Sequence, residues 1–523
     1  MPRRPPSSRP PRRDGDRPSP RSRRDGDAKT ARGPQRNAPA ADRGDRDRAE
    51  GKRPDSKRAE NRRPENTRPE NRRPGTRSPD GRQRDARRPA ERRAGGSRPG
   101  TNRKVIDGAA ALLDAITQSG DPADRVRHAW MRPHHRAFDA AERTALIGLS
   151  EDVLRQRGKL DWWLTEAGAE PDNALRVAAH RILVSGAKPD NLLWLFEQPD
   201  AVAPVLRKLD GHTLEHPKMP QAVKHSVPEW ILPHLKERFG ADLELELGAM
   251  LRPAPLDVRI NPLKTTRAAA EAALAAEELR SQPTPFSPLG LRLSPQAYVN
   301  NTQAYAEGLI EPQDEGSQLA AQLVDAKGAK FVVDFCAGAG GKTLVLAAAM
   351  QSTGRLVAID ISSGRLQQAR LRLRRAGAHN AECRAIEPKW LKRHRELADR
   401  VLVDAPCTGT GTWRRKPDAK WRLTPQDLEE LVPRQAEILD RAARLVKPGG
   451  RLVYVTCSVL LDENERQVEA FLRRWPDFAV LPVTEVWPQT IGGACPVPGP
   501  YLSLSPGRHG TDGFFAAILV RSA

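Results

Sequence analysis

Two cysteines and an aspartate stand where an open sheet would bring them together. The apolar run Leu452-Val453-Tyr454-Val455-Thr456-Cys457-Ser458 reads as a strand that delivers a thiol, Cys457, at its carboxyl end. A second run, Val401-Leu402-Val403, ends in Asp404-Ala405-Pro406-Cys407 and supplies a carboxylate and another thiol. In an open α/β sheet, ligands bind in the crevice outside the carboxyl ends of the strands. A single cysteine is more often buried packing than a nucleophile, and position alone favours packing for Cys457. Its company changes the balance. A cytosine ring is electron-poor, and its carbon 5 becomes nucleophilic only after something adds to carbon 6. A thiolate does this well once partly ionised, and a second acid or base must then strip the carbon 5 proton so that elimination releases the enzyme. A methyltransferase acting on an amino group needs no thiol here.

A third feature supplies a cofactor site. The buried-type strand Phe331-Val332-Val333-Asp334-Phe335 runs into the loop Cys336-Ala337-Gly338-Ala339-Gly340-Gly341-Lys342-Thr343, which opens an apolar helix. Glycines let the backbone approach a ligand, and the N-terminus of the helix favours anions. A phosphate-binding loop of the GxxxxGK[ST] type needs glycine where Cys336 stands, which disfavours a nucleotide triphosphatase. The next strand, Leu356-Val357-Ala358-Ile359, ends in Asp360. An acid about 20 residues past such glycines is what hydrogen-bonds ribose hydroxyls. NAD, FAD and S-adenosylmethionine all fit these residues; the thiols of the neighbouring strands select S-adenosylmethionine.

The elements that must position these groups alternate strand and helix from Gln318 onwards, giving an α/β, doubly wound Rossmann-like sheet. Strands are expected at residues 331–335, 356–359, 381–385, 401–403 and 452–458, with helices over 364–376 and 425–446 between them. The acidic stretch 462–472 is helix-like. Residues 514–520 read as a last, antiparallel edge strand. Upstream, residues 105–209 show helical periodicity, broken at Gly158, Pro171, Pro189 and Pro199. His134 and His135, beside Pro133, are placed in a loop. Residues 257–262 alternate like a strand before an Ala-rich helix. The domains expected are a tail (1–104), an all-helical domain (105–215), a small α+β connecting domain (216–310) and a methyltransferase domain (311–523).

The net charge of +21 is concentrated in the tail. Residues 1–104 carry 34 Lys and Arg against 15 Asp and Glu, whereas the other residues carry 53 against 51. That tail has no Val, Leu, Ile, Phe, Trp, Tyr or Cys, so disorder is expected, along with non-specific binding of RNA phosphates. Its acidic residues argue against a mitochondrial transit peptide. No run of about 18 apolar residues is present and no secretory signal opens the chain. Five cysteines form no CxxC pair and the histidines no ligand cluster, so no metal is expected, and a reducing cytoplasm fits. RNA is the expected partner, with neither DNA nor membrane, and a monomer is expected.

The motifs Pro312-Gln313-Asp314-Glu315-Gly316-Ser317-Gln318, Asp404-Ala405-Pro406-Cys407, Arg414-Arg415-Lys416-Pro417-Asp418-Ala419-Lys420-Trp421, Thr456-Cys457-Ser458-Val459-Leu460 and Asp512-Gly513-Phe514-Phe515 resemble those of the RsmB/Nop/NSUN RNA 5-methylcytosine methyltransferases, closest to the bacterial RsmB branch. The resemblance covers everything but the tail. It implies a class I methyltransferase sheet, a NusB-like RNA-binding helical domain, and small-subunit rRNA as substrate. It implies Cys457 as the nucleophile on carbon 6 and Cys407 as the group that assists proton removal and product release. It places S-adenosylmethionine on Cys336, Ala337, Gly338, Ala339, Gly340, Gly341, Lys342 and Asp360, with Asp404 near its methionine end and the target base. Two departures stand out. The family loop reads Cys-Ala-Ala-Pro-Gly-Gly-Lys where this chain has Gly338 and Ala339, and the acid that usually follows the third strand is not aligned between Arg384 and Glu387. Cys407 follows a proline, as the nucleophile of DNA cytosine methyltransferases does, so exchanged thiol roles stay open. So do tRNA as substrate and a non-catalytic assembly factor that binds RNA.

Overall fold

The computed structural model describes residues 102–294 and 297–523. Residues 1–101 of the expected RNA-binding arm lie outside the described residues. Arg103 and Lys104, assigned to that arm, open the helix Arg103–Ser119, where Lys104 pairs with Glu142 at 2.7 Å. Helices Ala123–His134, Ala140–Glu166, Asn173–Leu183 and Pro199–Arg207 follow. Three boundaries have a clear local cause. Gly120 adopts a left-handed conformation after the first. Asp139 and Glu142 form a reciprocal capping box on the third, and Asp172 caps the fourth; caps of this kind satisfy amide groups that a helix start leaves unpaired. Leu112, Leu113, Leu146, Leu160, Leu164 and Val177 make the buried centre.

Two expectations fail here for physical reasons. His134, placed in a loop, ends the helix Ala123–His134, since Pro133 falls in the last turn and His134 Nδ1 lies 2.7 Å from the Trp130 carbonyl oxygen. Gly158 does not break its helix. A Cβ there would sit 3.0 Å from Ser226 Cα and 3.2 Å from the Trp421 ring, so the glycine serves close packing against two other segments.

A four-stranded antiparallel sheet follows, in the order β2-β3-β1-β4. Its strands are β1 (Leu256–Ile260), β2 (Ser281–Pro283), β3 (Gly290–Leu293) and β4 (Ile310–Pro312). Only β1 carries a readable alternating pattern; the others are three or four residues long and contain Pro or Gly.

The large sheet contains β5 (Phe331–Asp334), β6 (Arg355–Asp360), β7 (Ala381–Ala385), β8 (Ala398–Asp404), β9 (Val446–Thr456), β10 (Phe478–Leu481), β11 (Leu502–Leu504) and β12 (Phe514–Arg521). The order is β10-β12-β9-β8-β5-β6-β7, with β11 paired to β12. Strands β7, β6, β5, β8 and β9 are parallel, which confirms the doubly wound α/β class. Successive residues of β8 and β9 pack on opposite faces: Leu402, Val453 and Val455 belong to one core, and Val401, Val403, Leu452 and Tyr454 to the other. Burying each of these side chains contributes about 1.5–3 kcal/mol, and together they hold rigid the strand that ends beside Cys457. The expected edge strand is a correction. β12 lies between β9 and β10, antiparallel to both, because the short β10 takes the rim. The pair Gly449-Gly450 lies inside β9 at the point where its register with β8 shifts, as in a β-bulge.

Among the described residues, no helix is long and apolar enough to cross a membrane.

Candidate active site

β5 is the switch point of the large sheet, with β6 and β7 on one side and β8 and β9 on the other. Asp334, Asp360, Asp404 and the Thr456-Cys457 junction therefore lie at one edge of the sheet. Two groups of side chains gather there.

The first group is centred on the thiols. Cys407 Sγ and Cys457 Sγ are 3.5 Å apart, far beyond a disulfide bond of about 2.05 Å, and both are free. The proton between them is not shared evenly. The hydrogen bond from Cys407 lowers the pKa of Cys457, with Lys342 adding to that effect against burial, Asp404 and Glu463. The same contact, together with burial, pushes Cys407 well above the ordinary thiol range. Cys457 is thus the more readily ionised thiol of the two. Lys342 is buried and pairs with Asp404 at 2.7 Å. Burial opposes its charge, but Asp404 outweighs burial and raises its pKa.

The second group is the glycine loop. Gly340 has φ 81°, and a Cβ on it would lie 3.0 Å from the Ala369 Cβ, so glycine is needed to start the helix Gly341–Ala349. Asp360 accepts from the Gly338 amide at 2.9 Å and the Ser362 amide at 2.8 Å, and Arg365 pairs with it at 3.0 Å. Arg372 donates to the Ala339 carbonyl at 2.8 Å. Cys336 is not part of the thiol pair: burial pushes its thiol up, and Asp404, Asp334 and Asp360 push it further.

This geometry has relatives. The family model described as 16S rRNA methyltransferase RsmB/F matches residues 321–520, and the RsmF/B-like ferredoxin-like domain matches 227–300. The probable ribosomal RNA small subunit methyltransferase B of Synechocystis sp. is 34% identical over 59% of this chain and 70% of its own length. Ribosomal RNA small subunit methyltransferase B of Vibrio cholerae is 34% identical over 60% of this chain and 68% of its own. This chain belongs to the RsmB/F methyltransferase family. A crystal structure titled PH0851 shares the fold with TM-score 0.67 at 28% identity, covering 79% of this chain and 98% of that one.

Within this RsmB/F methyltransferase, sequence reasoning passed over two buried carboxylates. Glu463 accepts from the Thr408 amide at 2.8 Å and from Gln435 Nε2 at 2.9 Å, and so holds the residue next to Cys407. It sits in the acidic stretch 462–472, where charges read as a solvated face. Asp334, at the end of β5, accepts from Thr343 Oγ1 at 2.6 Å through one oxygen, while its other oxygen has no partner. Burial raises its pKa to about 7, against the Thr343 hydrogen bond. The signal for it was its place one residue before the loop strand closes. Near the unaligned third-strand acid, Arg384 reaches both Glu382 and Glu387, at 3.2 and 3.4 Å.

Proposed function

We propose that the chain methylates carbon 5 of a cytosine in small-subunit rRNA, with S-adenosylmethionine as methyl donor. The observation that carries this reading is the unsymmetrical thiol pair, 3.5 Å apart at the switch-point edge of a methyltransferase sheet, in which Cys457 is the more readily ionised thiol. It favours Cys457 over Cys407 as nucleophile.

The residues of the loop fit the donor. Gly338 faces open space where a Cβ would stand and Gly340 turns the loop into its helix, Asp360 stands at the end of β6 for ribose hydroxyls, and Ile361 beside it is 79% exposed, an apolar surface suited to a purine. Ala337, Ala339 and Gly341 complete the cradle, with Cys336 packed beneath it. When bound, S-adenosylmethionine supplies an electrophilic methyl group on a sulfonium. Lys342 and Asp404 lie between cradle and thiols, where Lys342 stabilises the Cys457 thiolate and Asp404 faces the base and the methionine end.

The Cys457 sulfur bonds to carbon 6, and the electron pair of the ring double bond moves to carbon 5, which takes the methyl group. A base then removes the carbon 5 proton as the carbon–sulfur bond breaks and the double bond re-forms. Cys407, once its own proton has passed to solvent, has the basicity for that step, and the reaction releases one proton overall. Residues 105–215 serve as a NusB-like RNA-binding domain, and 216–310 connect it to the catalytic domain 311–523.

The test is transfer of labelled methyl to protein-free small-subunit rRNA and to tRNA, with the product base identified. 5-Methylcytosine in rRNA alone is expected. Label in tRNA alone would replace the substrate, and neither label nor cofactor binding would leave an RNA-binding assembly factor.

A further inference from the structure

The motif at residues 414–421 begins seven positions after Cys407, and nothing in the reaction uses it. The chain from Cys407 to it is fastened at nearly every step. Thr408 is held by Glu463. Thr410 Oγ1 accepts from the Val459 amide at 2.9 Å, and the Gly411 amide donates to the Cys457 carbonyl at 2.9 Å. Gly513 donates to the Gly411 carbonyl at 2.8 Å. Trp413 is fully buried. Arg414 and Arg415 grip the two oxygens of Asp512 at 2.7 and 2.8 Å, and Arg415 also reaches Asp314 at 3.2 Å.

Beyond these ion pairs the motif enters the helical segment. Asp418 accepts from the Ala123 amide at 3.0 Å, at the start of the helix Ala123–His134. Lys420 donates to the Arg155 carbonyl at 3.0 Å, and Trp421 Nε1 to the Leu154 carbonyl at 2.7 Å. Arg155 returns a bond to the Arg414 carbonyl at 3.3 Å. The guanidinium of Arg157 lies over the Trp421 ring, 5.4 Å from its centroid, and Gly158 leaves the space that ring fills. Adhesion alone does not call for this arrangement. Burying the Lys420 amine on a carbonyl with Arg155 and Lys159 nearby lowers its pKa well below the lysine range, and an apolar contact would join the two parts at less cost. Directional bonds fix orientation instead.

We infer that residues 414–421 are a strut through which the helical segment sets the position of Cys407, making Trp421 and Gly158 positioning residues for the thiol pair. The inference rests on the reading of Cys457 and Cys407 as the reacting thiols. Its consequence is that the helices hold Cys407 Sγ within hydrogen-bond reach of Cys457 Sγ. The charged and titratable groups that face Cys457 are Cys407, Asp404, Lys342 and Glu463, and of these Cys407 is the one the strut continues into.

The experiment is the pH profile of Cys457 alkylation by iodoacetamide, mapped by mass spectrometry on the full chain, beside kcat and KM on rRNA and the Tm. Gly158→Ala crowds the Ser226 backbone and the Trp421 ring, Trp421→Ala removes the ring, and Trp421→Phe keeps an aromatic ring but removes the N–H donor and the outer edge of the indole. In Gly158→Ala and Trp421→Ala the alkylation midpoint should move to higher pH. The rate at neutral pH and kcat should fall about threefold to tenfold, the double variant should lose less than the product of the two, and KM for S-adenosylmethionine should not change. Trp421→Phe, which keeps an aromatic ring at the site, should shift in the same direction by less. A wild-type profile in Trp421→Phe and in Gly158→Ala, with a lowered Tm, would overturn the strut. If the midpoint moves but wild type methylates no RNA, the strut stands and the proposed reaction falls.

Discussion

Cys457 and Cys336 sit at the same edge of the same sheet, yet their surroundings drive them in opposite directions. Cys457 meets a thiol that gives it a hydrogen bond and a buried ammonium. Cys336 meets burial and three carboxylates. Both are cysteines at strand ends, so strand-end position does not make a nucleophile. What separates them is the adjoining strand: β8 brings Cys407 to Cys457, whereas β5 runs into the glycine-rich loop.

The sharpest way to break this contrast is to remove each thiol in turn. Cys457→Ala should lower methyl transfer by at least about a thousandfold, while Cys336→Ala stays near wild type by the same assay. Equal losses would erase the distinction. Cys407→Ala should cost about a hundredfold in turnover, the scale of a lost general base, and should accumulate a covalent RNA adduct resolvable on a denaturing gel. It should also raise the pH at which Cys457 is alkylated, because the donor that lowers its pKa is gone. On the Cys336 side, Gly340→Ala forces an L residue into a left-handed conformation, a cost of about 1–2 kcal/mol. Calorimetry should show roughly tenfold weaker binding of S-adenosylmethionine, with the alkylation profile of Cys457 unchanged.

The smallest effect concerns Asp334. Its folded pKa of about 7 lies above the ordinary 3.8, so the folded protein holds this proton more tightly than the unfolded chain does. Stability from this group is therefore greatest at acid pH and declines as pH rises from about 4 to about 7. Asp334→Asn should remove that decline, so the Tm of the variant should gain on wild type across the window. A gap that does not change with pH would mean Asp334 stays ionised.

Much of the catalytic sheet was legible. β5, β6, β8 and β9 are apolar runs buried on both faces, and Asp334, Asp360 and Asp404 close three of them. Sequence placed Cys407 and Cys457 at one edge, but their 3.5 Å separation depends on Glu463 and Gln435 holding the intervening loop, and no local pattern marks those two. The position of β12 was misread because its outer neighbour, β10, is four residues long. Gly158 was misread because its reasons to be glycine, the Ser226 backbone and the Trp421 ring, lie far away in the chain. Contacts of that separation leave no periodicity to read.

Gly411 and Gly513 cross with their backbones touching; a Cβ on Gly411 would lie 2.2 Å from the Gly513 carbonyl oxygen. This crossing imposes an order of assembly. Gly513 opens the way into β12, which must insert between β9 and β10, strands that precede it in synthesis. Non-local pairings of this kind form late. A nascent chain that has made Cys407 and Cys457 but not residues 512–521 lacks the anchor for the loop between them. The Cys407–Cys457 pair is thus completed only once that strand is seated, and a chain truncated before residue 512 should be alkylated at Cys457 at higher pH than the full chain.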